Sequence, residues 1–305
     1  MDGHAADPLS ALRAGLSRAE IAVRRLGAAT VERYPALRTP VLLAWTRYML
    51  AYGACRALAT TVRGNHRAAV DPFTVVEVDP DRIRFLVESD GYPNQIRRES
   101  VFPPPKFKHA GGVDGGDWDA LDHRFEDTEL YRGFEARFER RVPWRETAFY
   151  RTSVEYIEGG TPLWGCTTEA EFERRCAFVE SLYDAIATNG YRSQAELSAT
   201  DSPDSDGNAV RTVTDEIAVC VGRGGELLFM DGRNRLAIAK LLDLDAVPVW
   251  IMVRHEGWQR VRDSVAADPS RIALLPERLR THPDLAGVRS GAWDRRRPRR
   301  RAGLL

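Results

Sequence analysis

A chain of 305 residues, 43% hydrophobic and 29% charged, is long enough to bury a substantial core and too apolar to remain disordered. Its 44 basic and 44 acidic residues cancel, so no global field draws it to nucleic acid or to a membrane. The four cysteines, Cys55, Cys166, Cys176 and Cys220, show no C-x-x-C spacing and so point to neither a zinc site nor a disulfide framework. Reduced thiols in a cytoplasmic protein are the expectation. No basic-then-apolar signal pattern opens the chain. The most apolar stretch, 41–55, contains Arg47 and is too short to span a bilayer. Only Lys106, Lys108 and Lys240 are lysines; every other basic residue is arginine, which a GC-rich or salt-adapted host explains.

Residues 9–34 read as a helix, with Leu9, Leu12, Leu16, Val23 and Leu26 on one side, ended by Pro35. A second helix, 40–62, carries Leu43, Trp45, Tyr48, Met49 and Tyr52. It reads either as a membrane-surface or partner-binding helix or as half of a packed α-hairpin, and its modest length and neutral charge favour packing. Residues 1–70 are thus expected to form an N-terminal helical module, which also offers a homodimer interface.

A second region, 71–142, has short strands at 73–78 and 83–87 around the turn Asp79-Pro80-Asp81. A long irregular segment, 89–117, reads as a lid or linker. Within Gly115-Gly116-Asp117-Trp118-Asp119, the carboxylates of Asp117 and Asp119 could hold a divalent ion against a nucleotide phosphate. The plainer reading is a turn whose Asp caps the next helix. Residues 121–141 form a polar, half-exposed helix whose alternating signs suit a solvated face.

A strand is expected within 144–157, with Val154, Tyr156 and Ile157 as its apolar positions, closed by Glu158-Gly159-Gly160. Glu158 is a candidate general base, or simply a strand-end carboxylate in water. Thr168 to Glu171 is a capping box, and Phe172, Cys176, Val179, Tyr183 and Ile186 make one helical stripe that Asn189-Gly190 ends. Cys166, just before the cap, is either a reactive thiol or a small semi-buried residue. A Ser/Asp/Pro/Gly loop over 198–209 leads into a hairpin, 216–229, turned by Arg223-Gly224-Gly225. A buried helix over 236–242 and a β-branched strand over 247–253 follow.

Between hairpin and helix stands Met230-Asp231-Gly232-Arg233-Asn234-Arg235. A strand that ends in Asp-Gly and opens a helix leaves free N–H groups at the helix N-terminus, and Gly232 lets a ligand approach the backbone. Arg233 and Arg235 add positive charge, which completes a recipe for an anion site. Arg254 and His255, at the end of the 247–253 strand, could face the same pocket, the first neutralising a phosphate and the second relaying a proton. The alternative is a strand-end pair with structural roles. Trp258, Val261 and Val265 form a helical stripe, 276–285 a further short helix, and Arg295 to Arg301 a basic tail.

Asp231-Gly232-x-x-Arg235, the following helix and Leu244-x-x-Val247-Pro248-Val249 resemble the core of the ParB/sulfiredoxin-like superfamily over 143–255. The resemblance implies an α+β fold, a mixed sheet with helices, preceded here by the N-terminal helical module and followed by packing helices at 256–290 and a tail at 291–305. It also implies that nucleotide phosphates (ATP, ADP or CTP, with Mg2+) sit at this loop. Gly232 and Arg235 match the shared positions, and Asp231 matches the acidic residue of kinase-like members. Arg233 stands where sulfiredoxins carry their cysteine, so that chemistry is not inherited. Partition proteins carry Glu-Arg-Arg after the glycine and continue into a helix-turn-helix, and the residues after 255 show no such pattern.

Two functions follow. The first is phosphoryl transfer from a nucleotide to a small-molecule or headgroup hydroxyl. Gly232, Arg233, Asn234, Arg235 and Arg254 would hold phosphate, Asp231, His255 and Glu158 would be catalytic, and Asp117 and Asp119 would hold metal. The second is ParB-like nucleic-acid binding without catalysis, through the loop and the arginine tail.

Overall fold

Asp, Thr and Gly punctuation sets most element boundaries in this chain. The computed structural model describes residues 26, 30, 33–87, 102, 106–199 and 213–289. Most of the expected 9–34 helix, most of the 89–105 loop, residues 200–212 and the arginine tail lie outside the described residues. The chain forms two units, residues 1–48 with 205–210 and residues 49–204 with 211–305. In the first, the 3-10 turn Pro35–Leu37 leads into the helix α1 (Arg38–Arg63), whose residues from Met49 on belong to the second; Trp45 and Tyr48 make a tilted ring contact.

The second unit holds the rest. β1 (Val75–Val78) and β2 (Ile83–Leu86) flank a 3-10 turn, Pro80–Arg82, capped by the Asp79 carboxylate. The 3-10 turn Lys106–His109 precedes β3 (Gly112–Asp114). Three capped helices follow: α2 (Glu129–Phe138), α3 (Ala148–Glu158) and α4 (Glu169–Asn189). Thr128, Thr147 and Thr168 cap them in turn, each hydroxyl accepting a backbone N–H from the first turn. A short α5 (Gln194–Ala199) leads towards the hairpin β4 (Ile217–Val221) and β5 (Leu227–Asp231). Then come α6 (Arg233–Leu241), β6 (Val247–His255), α7 (Glu256–Ala267), α8 (Glu277–Arg280) and α9 (Pro283–Arg289).

The six strands form one mixed sheet in the order β1-β6-β4-β5-β2, with β3 also on β6. β6 is its spine. One edge of β6 pairs antiparallel with β1 over Val247–Trp250 and parallel with β3 over Val253–His255, and the other pairs parallel with β4. All nine β6 residues are buried, which explains its unbroken apolar run: a strand covered on both faces needs no polar alternation. Period-two alternation divides the sheet's side chains between two cores. Val219, Phe229, Val249 and Ile251 join the helical layer, while Cys220, Leu228, Trp250 and Met252 meet Phe102 and Ala110 on the other face.

The fold is therefore α+β around a mixed sheet, with helical structure near the N-terminus. β1, β2 and β3, from residues 71–142, are strands of the central sheet. One expectation changes. The strand expected over 144–157 is helix α3. Its buried positions, Phe149, Tyr150, Ser153 and Ile157, recur at helical spacing, and the Ser153 hydroxyl donates to the Phe149 carbonyl. No helix among the described residues is long and apolar enough to cross a membrane.

Candidate functional site

Gly232 joins β5 to α6 in the left-handed region, at φ 87°. A Cβ there would lie 3.0 Å from the Ile217 Cα on the neighbouring strand, so side chain and backbone freedom both favour glycine. As helix cap it brings no side-chain acceptor to the first turn, which is the condition for an incoming anion to take those N–H groups. The Asp231 carboxylate turns back on the loop. Its Oδ1 accepts from the Gly232 N–H at 2.9 Å, and its Oδ2 meets Lys106 Nζ at 2.8 Å. Burial pushes this carboxyl up, but the Lys106 ammonium and the Gly232 N–H outweigh it and hold Asp231 below the usual carboxylate range. Lys106 also donates to the Met230 carbonyl, so the loop carries a lysine that the motif itself does not contain.

Arg235 points the other way. Its Nη2 donates to the Asp215 carbonyl, and its Nη1 lies 3.7 Å from Glu216 Oε2. Glu216 stands just before β4 and is 4% exposed. Its Oε1 accepts from the Gln194 N–H at 2.6 Å. Burial pushes its carboxyl up to about 7; the Gln194 N–H and Arg235 pull down, and Glu77 and Asp215 push further up. Next to this pair lies the hydroxyl of Tyr191, which burial raises to about 12. Among the described residues, Glu216 Oε2, Arg235 Nη1, the Tyr191 hydroxyl and Asn234 Oδ1 are buried without a hydrogen-bond partner.

The other expected site residues have structural work. Arg254 is 0% exposed, and its Nε and Nη2 grip the Asp284 carboxylate on α9 at 2.8 and 2.6 Å, so it faces no phosphate. His255 is the cap of α7: its Nδ1 accepts the Gly257 N–H at 2.9 Å, and its Nε2 sits 3.0 Å from the Gly116 carbonyl. Glu158 ends helix α3 and is exposed, away from the strand end expected for it. Asp117 and Asp119 both hold Arg223. Asp119 accepts its backbone N–H at 2.6 Å and its guanidinium at 2.7 Å, and Asp117 accepts Nη2 at 2.8 Å. Burial pushes Asp119 up, yet Arg223 overrides it and leaves the carboxyl below its ordinary value. One guanidinium engages both carboxylates and takes both oxygens of Asp119, so the pair is a poor fit for a metal ion. No group of three or more ligand-type side chains forms a metal site among the described residues. Cys166 is buried, and its thiol is raised by burial and by Glu171, which suits the reading of a small semi-buried residue.

Gly232→Ala is expected to cost about 1–2 kcal/mol, the penalty for a Cβ in the left-handed region. Thermal melts of the variant check this, and a melt coincident with wild type means the turn tolerates a side chain.

No protein-family model, no curated protein and no solved structure matches this chain.

Proposed function

We propose that the chain binds the phosphates of a nucleotide at the Asp231–Arg235 turn and transfers a phosphoryl group to a small-molecule hydroxyl. The observation that carries this reading is the left-handed Gly232 opening helix α6 without a side-chain cap, with Lys106 2.8 Å from Asp231 beside it. The ParB/sulfiredoxin-like resemblance supports it. Helix α4, Asn189-Gly190, the β4–β5 hairpin, the Gly-x-x-Arg turn, α6 and β6 follow one another in the order that resemblance implies.

In this reading the α6 N-terminus and Arg233 take the phosphate oxygens, and Lys106 neutralises charge at the strand end. Phosphoryl transfer needs mostly positioning and charge stabilisation, which such a turn supplies. Asp231, committed to Lys106 and to the Gly232 N–H, is a positioning group. Arg235 is held by Asp215 and Glu216, so it serves the site from beneath the turn.

Calorimetry and thermal shift with the magnesium salts of ATP, ADP, CTP and GTP test the reading. A nucleotide at a hundred times its Kd stabilises the fold by about 2.7 kcal/mol. Arg233→Ala and Lys106→Ala each weaken binding by about 10- to 100-fold, the worth of a hydrogen bond to a charged group. Stabilisation by none of the four nucleotides rejects the proposal, and a salt-dependent DNA titration then tests phosphate-backbone binding instead.

A further inference from the structure

We propose that Tyr191, Glu216 and Arg235 form the acceptor subsite of this transfer, which takes the hydroxyl of a small polar alcohol with Glu216 as its proton acceptor. The inference rests on the nucleotide reading above and deepens it.

Buried polar atoms in folded proteins are nearly always hydrogen-bonded. Here three atoms from three separate segments converge with none in a well-formed hydrogen bond: Glu216 Oε2 before β4 and Arg235 Nη1 on the first turn of α6 stand 3.7 Å apart as a loose ion pair, and the Tyr191 hydroxyl after α4 lies against Arg235. Each interacts electrostatically with the other two. Their combined demand defines the ligand. Glu216 offers an acceptor, Arg235 a donor, and Tyr191 either. A hydroxyl group both donates and accepts, so it satisfies the set. A carboxylate meets repulsion from Glu216, an ammonium meets repulsion from Arg235, and an apolar group leaves all three atoms unpaired. The subsite also adjoins the phosphate turn: a Cβ on Gly232 would lie 3.5 Å from Arg235 Nη2 and 3.0 Å from Ile217, the residue after Glu216.

The chemistry balances with a nucleoside triphosphate as donor. The O–H bond of the alcohol breaks as its proton passes to Glu216 Oε2. The alcohol oxygen bonds to the γ-phosphorus, and the bond from that phosphorus to the bridging oxygen breaks. The nucleoside diphosphate leaves with that electron pair, the acceptor leaves as a phosphate ester, and Glu216 returns its proton to solvent. The groups facing Glu216 are the Gln194 N–H, Arg235, Tyr191, Asp215 and Glu77, and burial among them places its carboxyl near neutrality, where a base works best.

The test uses the full chain with the magnesium salt of ATP, or of whichever nucleotide binds. Release of nucleoside diphosphate is followed with water, glycerol, ethylene glycol, acetate or methylammonium present, and phosphorus NMR detects any ester. Glycerol and ethylene glycol are expected to speed release and yield ester, while acetate and methylammonium do not. Glu216→Gln is expected to lower the rate 100-fold or more and to abolish the rise of kcat with pH near 7, with nucleotide affinity held within about twofold. Tyr191→Phe, which keeps the ring in place, lowers the rate about tenfold. The subsite is overturned if nucleotide binds and both variants keep the wild-type rate and pH profile. It is equally overturned if wild type with bound nucleotide turns over with no alcohol. Failure of wild type to bind any nucleotide overturns the turn's assignment first and the subsite with it, so the binding arm separates the two failures.

Discussion

Asp284→Asn is expected to destabilise the protein by about 3–5 kcal/mol, the usual cost of leaving buried charge without its partner. The carboxylate is 1% exposed and serves three groups at once. Arg254 binds it through Nε and Nη2, Trp258 Nε1 donates to Oδ2 at 2.8 Å, and Arg262 Nε lies 3.2 Å from the same oxygen. One carboxylate therefore balances two buried guanidiniums. Burial pushes Arg262 down to about 10, evidence of how little solvent compensates it. Burial also works against the Asp284 carboxylate, but Arg254 and Arg262 prevail and hold it well below the ordinary value. A depressed carboxyl contributes stability that is complete above its unfolded pKa and disappears only as pH falls through the folded one. The Asp284 contribution should thus be complete above its ordinary value of 3.8 and be lost progressively as the solution is acidified below it. Losing it would untie β6, α7 and α9 from one another, since each supplies a member of the cluster. Melting should fall by about 10 °C, at roughly 2–4 °C per kcal/mol for a chain of this size. Asp268→Asn, at an exposed pair with Arg271, is the control and should move stability by under about 0.5 kcal/mol. If Asp284→Asn melts within about 1 kcal/mol of wild type in urea at neutral pH, the cluster does not hold the C-terminal helices to the sheet.

The same cluster shows where sequence reading stops. Arg254 was visible at a strand end, and a strand-end arginine beside a glycine turn at a helix N-terminus invites a functional assignment. Its partner lies 30 residues on, in a helix whose docking is tertiary, so nothing local marks the pairing. Local signals worked where the chain's chemistry is local. The β4–β5 hairpin followed from alternation and a glycine turn, α4 from its capping box and stripe, and β6 from its apolar run. They failed at α3, where Val154 and Ile157 suggested a strand and Ser153 interrupted the apolar stripe that marks the helix. They failed too at β3, three residues with no periodicity, which belongs to the sheet only because β6 has an unpaired edge there. The turn itself was legible residue by residue, whereas the lysine on Asp231 and the Glu216 carboxylate under Arg235 are juxtapositions the fold creates.

Two buried groups of opposite habit give the second large effect, a pH response that wild type conceals. Burial lowers His282 to about 4; its Nε2 sits 3.0 Å from the Gly225 carbonyl and its Nδ1 accepts the Asp284 N–H. Between about 4 and the unfolded value of 6.5, the unfolded chain binds a proton that the folded chain refuses, so stability falls as the solution is acidified. Across the whole window the loss amounts to about 3 kcal/mol. Glu216 runs the other way. Its folded value of about 7 lies above the unfolded 4.5, so between them the folded chain holds the extra proton and acidification adds stability, again about 3 kcal/mol over the window. The depressed carboxyls Asp119, Asp231, Asp268 and Asp284 start from an ordinary value of 3.8 and Glu171 and Glu196 from 4.5, so their losses fall at or below the acid edge of this range, while Glu77, raised by burial, adds to the Glu216 slope. Wild-type unfolding free energy should therefore change little between pH 4.5 and 6.5, because the two slopes oppose each other. Glu216→Gln removes one slope and exposes the other, so the variant should lose about 3 kcal/mol as pH falls from 6.5 towards 4, a loss that urea titrations at half-unit steps resolve. A Glu216→Gln profile as flat as wild type would mean that His282 does not refuse its proton in the folded state. A wild-type profile falling as steeply as the variant's would mean that Glu216 is not held protonated near neutrality, and would remove the physical basis for its service as a base beside the turn.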